Sequence, residues 1–150
     1  MIEKKLASLG IVLPVPPNPA GSYIPVVLSG NLAFVSGQIP LEGTQVRFQG
    51  KVGSVEIGQL AARLCTINAL AHLKSFLGRL DRIKQIIKVT GFVNCDPSFM
   101  EHALVINGAS DLLVQVFGEN GRHARAAIGV NSLPLNSAVE IELIAELSST

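Results

Sequence analysis

The chain has 150 residues, a formal net charge of +1, and 15% charged residues beside 48% hydrophobic ones. Near-neutrality excludes a global electrostatic pull toward nucleic acid or anionic membrane. Gly, Pro and polar residues interrupt every apolar run before the roughly 18 residues that a membrane helix requires, which excludes a spanning segment.

Charged residues normally make up about 25% of a soluble domain. A chain this poor in charge is expected to hide surface against copies of itself. One domain over residues 1–150 is expected at this length, with residues 1–19 as an N-terminal extension. In that extension residues 2–9 read as a short helix, and Pro14, Pro16, Pro17 and Pro19 as an extended arm. Ser8, Gly10 and Pro14 break the apolar run that follows Lys4 and Lys5, so it does not read as a secretory signal.

The stretch "YIPVVLSGNLAFVSG" predicts two short strands hinged at Ser29-Gly30-Asn31. A Gly-rich loop follows, with a short strand near residues 46–48. From residue 54 to residue 77 the period becomes helical, with Leu60, Leu64, Ile67 and Ala71 on one stripe and Gly78 as the stop. Residues 83–95 read as a long strand. Asp96 as N-cap and Pro97 at the first helical position predict a second helix. That helix is expected to break at residues 105–108, with Asn107 capping a fresh segment over residues 109–117. Residues 124–130 and 139–147 read as the last two strands. The order β-β-α-β-α-β-β predicts an α+β fold, a mixed sheet with both helices packed on one face. Cys65 and Cys95 have neither CxxC spacing nor a His at zinc-ligand distance, and read as reduced small hydrophobes of a cytoplasmic protein.

Strand side chains alternate between faces. In the last strand Val139, Ile141, Leu143, Ala145 and Leu147 should lie under the helices, which turns Glu140 and Glu142 the other way. In the strand before it, Ala126, Ile128 and Val130 form the apolar set and leave Arg125, Ala127 and Gly129 opposite. Arg125 and Glu140 are therefore expected to share the face that the helices leave bare. Two readings stay open for them. One is a cross-strand ion pair, worth about 0.2–1 kcal/mol. The other is a carboxylate pocket, in which the small Ala127 and Gly129 leave room beside a guanidinium fork. His123 shares the parity of Arg125 and reads either as a structural histidine or as an added acid/base.

The motifs "VSGQIP" (residues 35–40) and "HARAAIGV…LP…VEIELIA" (residues 123–145), in this element order, resemble the YjgF/RidA family of reactive-intermediate deaminases, also known as L-PSP endoribonucleases. The resemblance spans residues 20–147. It implies a chorismate-mutase-like fold of the bacillus type and a homotrimer with clefts between subunits. It further implies that Arg125 clamps the carboxylate of a small 2-imino or 2-enamino acid and that Glu140 positions or activates the attacking water. Tyr23, Ser36, Gly37 and Asn107 would line the same cleft, with Ala127 beside the clamp. The implied reaction is hydrolysis to a 2-keto acid and ammonia, and it needs no metal or organic cofactor. Burial would raise the pKa of Glu140 and a neighbouring Arg125 would lower it. The chain departs from the family pattern in its N-terminal extension, in extra residues between 99 and 107, and in "NGRHAR" before the clamp.

Two other functions compete with this one. A non-catalytic trimer sensing a small carboxylate would also use Arg125. Endoribonuclease-type RNA cleavage would draw on Lys74, Arg79, Arg82, Lys84 and Lys88. That basic run reads as a solvated edge, and no His pair or metal-binding carboxylate cluster accompanies it, so nucleic acid is not an expected partner.

Overall fold

The computed structural model describes residues 1–18 and 21–149; Pro19, at the end of the proline arm, lies outside the described residues. The chain opens with α1 (Ile2–Ser8), tied down when the Ile2 N–H donates to Asp81 at 3.0 Å and the Leu80 N–H donates to Glu3 at 2.9 Å. β1 (Val26–Ser29) and β2 (Leu32–Gln38) form the expected hairpin. The Gly-rich loop folds into a small ribbon of two strands, β3 (Leu41–Glu42) and β4 (Gln45–Val46), in place of the one strand expected near residues 46–48. α2 (Val55–Leu77) starts where the Ser54 hydroxyl accepts from the Ile57 N–H, and it ends at Gly78, whose φ of +86° suits a residue without a Cβ. β5 (Ile83–Asn94), α3 (His102–Phe117), β6 (Ala124–Val130) and β7 (Val139–Leu147) follow.

The sheet order is β1-β2-β7-β5-β6, antiparallel throughout except for the parallel pair β5 and β6. A parallel pair cannot be joined by a tight turn, and α3 supplies the crossover between them. This is the expected α+β, chorismate-mutase-like architecture, with α2 and α3 on one face. The core lies beneath them, where Val89, Val93 and Ile141 of the sheet meet Leu70, Leu73, Ile106 and Leu113 of the helices, all fully buried. Among the described residues no helix is long and apolar enough to cross a membrane.

The second long helix departs from expectation twice. It begins at His102, because Asp96-Pro97 opens a turn instead, closed by the Phe99 N–H donating to the Asp96 carbonyl at 3.0 Å. Pro after Asp suits the second position of such a turn as well as it suits the start of a helix. Nor does α3 break at residues 105–108. Val105, Ile106 and Ala109 are fully buried there, and a Cβ on Gly108 would come within 2.8 Å of the Gln59 backbone in α2. Gly108 is thus the point where two helices close on each other, and the packing that results outweighs its poor helix propensity.

The opposite sheet face carries no helix. Val27, Phe34 and Ile128 on it are 49, 40 and 41% exposed, and Lys88 and Glu142 stand among them. A surface of this kind is what the low charged fraction of the chain anticipates.

Candidate functional site

Strand register places Arg125 and Glu140 on opposite faces, which corrects the parity expectation. Arg125 lies in the row Leu143–Val89–Arg125, whose first two members are buried under the helices. Glu140 lies in the row Glu140–Phe92–Ile128, on the bare face. The expectation failed in β6 because the bare face is itself apolar. Hydrophobicity therefore did not mark which side of that edge strand the helices cover. The site residues divide accordingly into two groups within one protomer.

The first group surrounds Arg125, at the junction of β6 and α3. Its Nη1 donates to Asn107 Oδ1 at 2.7 Å and to Ser110 Oγ at 3.2 Å, and its Nη2 donates to the Ala103 carbonyl at 3.3 Å. Asn107 is therefore a holder of the guanidinium and caps no helix. The Nε–H of Arg125 and one Nη2 hydrogen have no partner among the described residues, which leaves the guanidinium two donors for an anion. Ala127 points the same way and packs on the core. The space expected at Gly129 is filled, since a Cβ there would meet the His102 ring.

His123 joins this group through Ser110, to which its Nε2 lies 2.9 Å away, while its Nδ1 contacts the Gly121 carbonyl at 2.6 Å. A carbonyl only accepts, so Nδ1 carries the proton, and Nε2 accepts from the Ser110 hydroxyl. Ser110 in turn accepts from Arg125. Burial holds His123 below the ordinary histidine range, against the Gly121 carbonyl that raises it, and Arg125 lowers it further. The geometry gives His123 the neutral, structural role. Ser110 was missed in the sequence, although it follows Asn107 by three residues and so shares its helix face.

The second group surrounds Glu140. A Cβ on Gly37 would overlap Oε2 of Glu140 and lie 2.9 Å from its Cδ, so the carboxylate occupies the space that glycine leaves. The β2–β7 register shifts between Val35 and Gln38, and this irregularity sets Gly37 against Glu140. The Ser36 hydroxyl donates to the Ile24 carbonyl at 2.8 Å, which ties the segment carrying the exposed Tyr23 to the same corner. Burial raises the Glu140 carboxyl above the usual glutamate range, and the Glu142 charge raises it further. Arg125 has no part in that shift, as expected of groups on opposite faces. Beside this group the bare face holds a hollow of about 360 Å³ lined by Phe34, Ser36, Lys88, Thr90, Glu142 and Ile144.

The basic run does not form one surface. Lys84 lies 4.0 Å from Glu146, Asp81 sits within the run, and Lys88 belongs to the bare sheet face.

With fold and site in place, the comparisons with known proteins define the class. Residues 3–147 match the family described as "YjgF/chorismate_mutase-like, putative endoribonuclease", and the chain belongs to that family. It is 43% identical over 152 residues to Protein TCP17 of Trypanosoma cruzi, covering 99% of this chain and 95% of that protein. It is similar to the crystal structure of Agrobacterium tumefaciens Atu1372, a protein of unknown function, with 48% identity and a TM-score of 0.92 over 98% of this chain and 92% of the other. It also resembles E. coli TdcF with bound serine, at 25% identity and a TM-score of 0.64 over 89% and 94% of the two chains.

Proposed function

We propose that the chain is an imine/enamine deaminase, acting as a homotrimer whose clefts combine the Arg125 group of one protomer with the Glu140 group of its neighbour. The observation that carries this reading is the division itself. Arg125 is held by Asn107, Ser110 and Ala103 with two guanidinium donors left without a partner among the described residues, and Glu140 has a raised pKa on the opposite face. Neither group alone has both an anchor and a base. The apolar bare face supports assembly, since burying its side chains against copies of the chain removes them from water. A relative crystallised with serine supports a small amino-acid-like ligand. The two cysteines, both buried and free, accord with a reducing cytoplasmic setting.

The chemistry asks little of the protein. The substrate is a 2-imino acid, or the enamine that tautomerises to it. Arg125 fixes its carboxylate and so orients C2. Glu140 takes a proton from water as the oxygen attacks C2, and the C=N electron pair moves onto nitrogen. The proton then passes from Glu140 to that nitrogen, giving a carbinolamine. Glu140 next takes the hydroxyl proton and returns it to the nitrogen, so that the C–N bond breaks as the keto C=O forms and ammonia leaves. A carboxyl whose pKa has moved up from 4.5 toward neutrality suits both halves of this exchange. Tyr23, Ser36 and Gly37 shape the wall on the Glu140 side, and Asn107 and Ala127 shape it beside Arg125.

Ammonia release from freshly generated 2-iminopropionate tests the reading. Arg125→Ala should cost about 1.5–3 kcal/mol of substrate binding, seen mainly in KM. Glu140→Gln should lower kcat by about 10²–10⁴ while carboxylate binding persists. A wild-type rate no faster than that of Arg125→Ala would remove the proposal. Carboxylate binding without turnover in either the wild type or Glu140→Gln would mark a sensor instead.

A further inference from the structure

Cys95 and His102 form a thiol–imidazole pair that the deaminase reading does not use. Cys95 follows the end of β5, and its backbone N–H donates to the Val130 carbonyl at 3.1 Å. His102 is the first residue of α3. The turn through Asp96 and Pro97 folds the chain back, so that Cys95 Sγ and His102 Nε2 lie 3.5 Å apart. Two further features build this contact. The Phe99 ring meets the imidazole edge-on, with centroids 5.6 Å apart and planes at 86°. Gly129, beneath the pair in β6, has no side chain, and a Cβ there would stand 2.9 Å from His102 Cδ2 and 3.0 Å from Cys95 Sγ. The imidazole thus fits because residue 129 is glycine, and the aromatic edge fixes its plane.

Cys95 and His102 together line a hollow of about 320 Å³ with Pro97, Phe99, Met100 and Val130, and the exposed Lys51 and Asp96 also line it. Among the described residues no third His, Cys, Asp or Glu groups with the pair as a metal site would require. Lys51 is exposed and donates to the Asn131 carbonyl. It is the one cation on the lining.

We propose that this pair is a second reactive site, which takes a small α,β-unsaturated carbonyl compound as a thioether. The Cys95 thiol gives its proton to His102 Nε2. The sulfur lone pair forms the S–C bond at the β-carbon, and the C=C electrons move through the α-carbon onto the carbonyl oxygen as an enolate. The imidazolium then returns the same proton to the α-carbon. One proton circulates, nothing is oxidised or reduced, and no water or leaving group is needed. An acyl substrate would require both of the latter in a hollow walled mainly by apolar side chains. The site stands apart from the deaminase reading, because neither Arg125 nor Glu140 takes part.

The test treats the full chain with acrylate and with acrylamide and follows intact mass and peptide mapping, with N-acetylcysteine as the reference thiol. One adduct at Cys95 is expected, formed faster than on the reference, and none at the fully buried Cys65. His102→Gln should slow it about 10²-fold or more, the smaller end of what a positioned proton acceptor contributes. Because His102→Gln could disturb α3, Gly129→Ala serves as a second probe. It displaces the imidazole by the added methyl and should slow alkylation while circular dichroism stays native. Absence of an adduct, a rate equal to the reference thiol, or a Cys95 rate indifferent to both His102→Gln and Gly129→Ala would overturn the proposal.

Discussion

Gly37 of β2 leaves the space into which the Glu140 carboxylate of β7 folds. A methyl group at position 37 would stand 2.9 Å from Glu140 Cδ and overlap Oε2. The obstructed atoms are the end of a flexible side chain, so Gly37→Ala should move the carboxylate while leaving the fold nearly unchanged. We expect a stability change within about 1 kcal/mol. A misplaced base, however, costs about 10²-fold for roughly 1 Å of displacement. Thermal unfolding beside kcat for ammonia release checks the pair of outcomes. Wild-type kcat in Gly37→Ala would show that the seat of Glu140 does not matter.

Glu140 also gives the protein a pH dependence whose sign follows from its shift. Its folded pKa lies above 4.5, raised first by burial and then by the Glu142 charge. In the window between 4.5 and that raised value the native state holds a proton that the unfolded state has released. Stability from this group is present below 4.5 and falls as pH rises through the folded pKa. Glu140→Gln removes the ionisation, so it should flatten this part of the pH–stability curve and leave the variant more stable than wild type at pH 7. Urea unfolding across pH 4 to 8 measures it. A wild-type curve parallel to that of Glu140→Gln through this window would contradict the assignment.

The two halves of the proposed site were legible in the sequence to different degrees. Glu140 stands in a strand whose alternation is strict, with Val139, Ile141 and Leu143 all buried beneath the helices, and its face could be read directly. Arg125 stands in an edge strand of small residues beside a bare face that is also apolar, and there alternation carries no sign. What fixes the direction of Arg125 is the parallel register with β5, a long-range pairing that no local pattern encodes. Asn107 shows a similar failure. Asn-Gly reads locally as a helix break, but the burial of Val105, Ile106 and Ala109 keeps α3 continuous. The order of the main strands and helices, the stop at Gly78 and the family motifs depended only on local chemistry, and these were readable.

The continuity of α3 makes position 108 sensitive. A Cβ there would meet the Gln59 backbone, with both its carbonyl carbon and Cα at 2.8 Å, and a helix backbone cannot yield as a side-chain end can. Alanine is the better helix former by about 1 kcal/mol, so propensity alone predicts that Gly108→Ala stabilises. Overpacking of a tight contact costs about 1–3 kcal/mol and sometimes more, and here it should win, because α2 would have to move off α3. We expect a net loss of up to about 2 kcal/mol in chemical denaturation. Arg125 should loosen with it, since the neighbouring Asn107 is one of its acceptors. A Gly108→Ala protein as stable as wild type would mean that the helices pack less closely than the geometry indicates.

The division of Arg125 and Glu140 between opposite faces gives the assembled site a test that a single-protomer site would fail. Arg125→Ala keeps Glu140, and Glu140→Gln keeps Arg125; at substrate concentrations well below the wild-type KM each variant alone should turn over slowly, the first through its raised KM and the second through its lowered kcat. In a mixed ring, one cleft receives Arg125 from the Glu140→Gln subunit and Glu140 from its Arg125→Ala neighbour. That cleft is wild type in both groups. Random assembly of equal amounts makes about three quarters of the rings mixed, each with one intact cleft of three, so co-expression should restore roughly a quarter of wild-type turnover. Were both residues to act within one protomer, every subunit would carry a lesion and mixing would restore nothing. Differentially tagged subunits, purified through both tags, isolate the mixed rings, whose turnover should rise to about a third of wild type. Inactive mixed rings would end the proposal that Arg125 of one subunit and Glu140 of its neighbour act on one substrate.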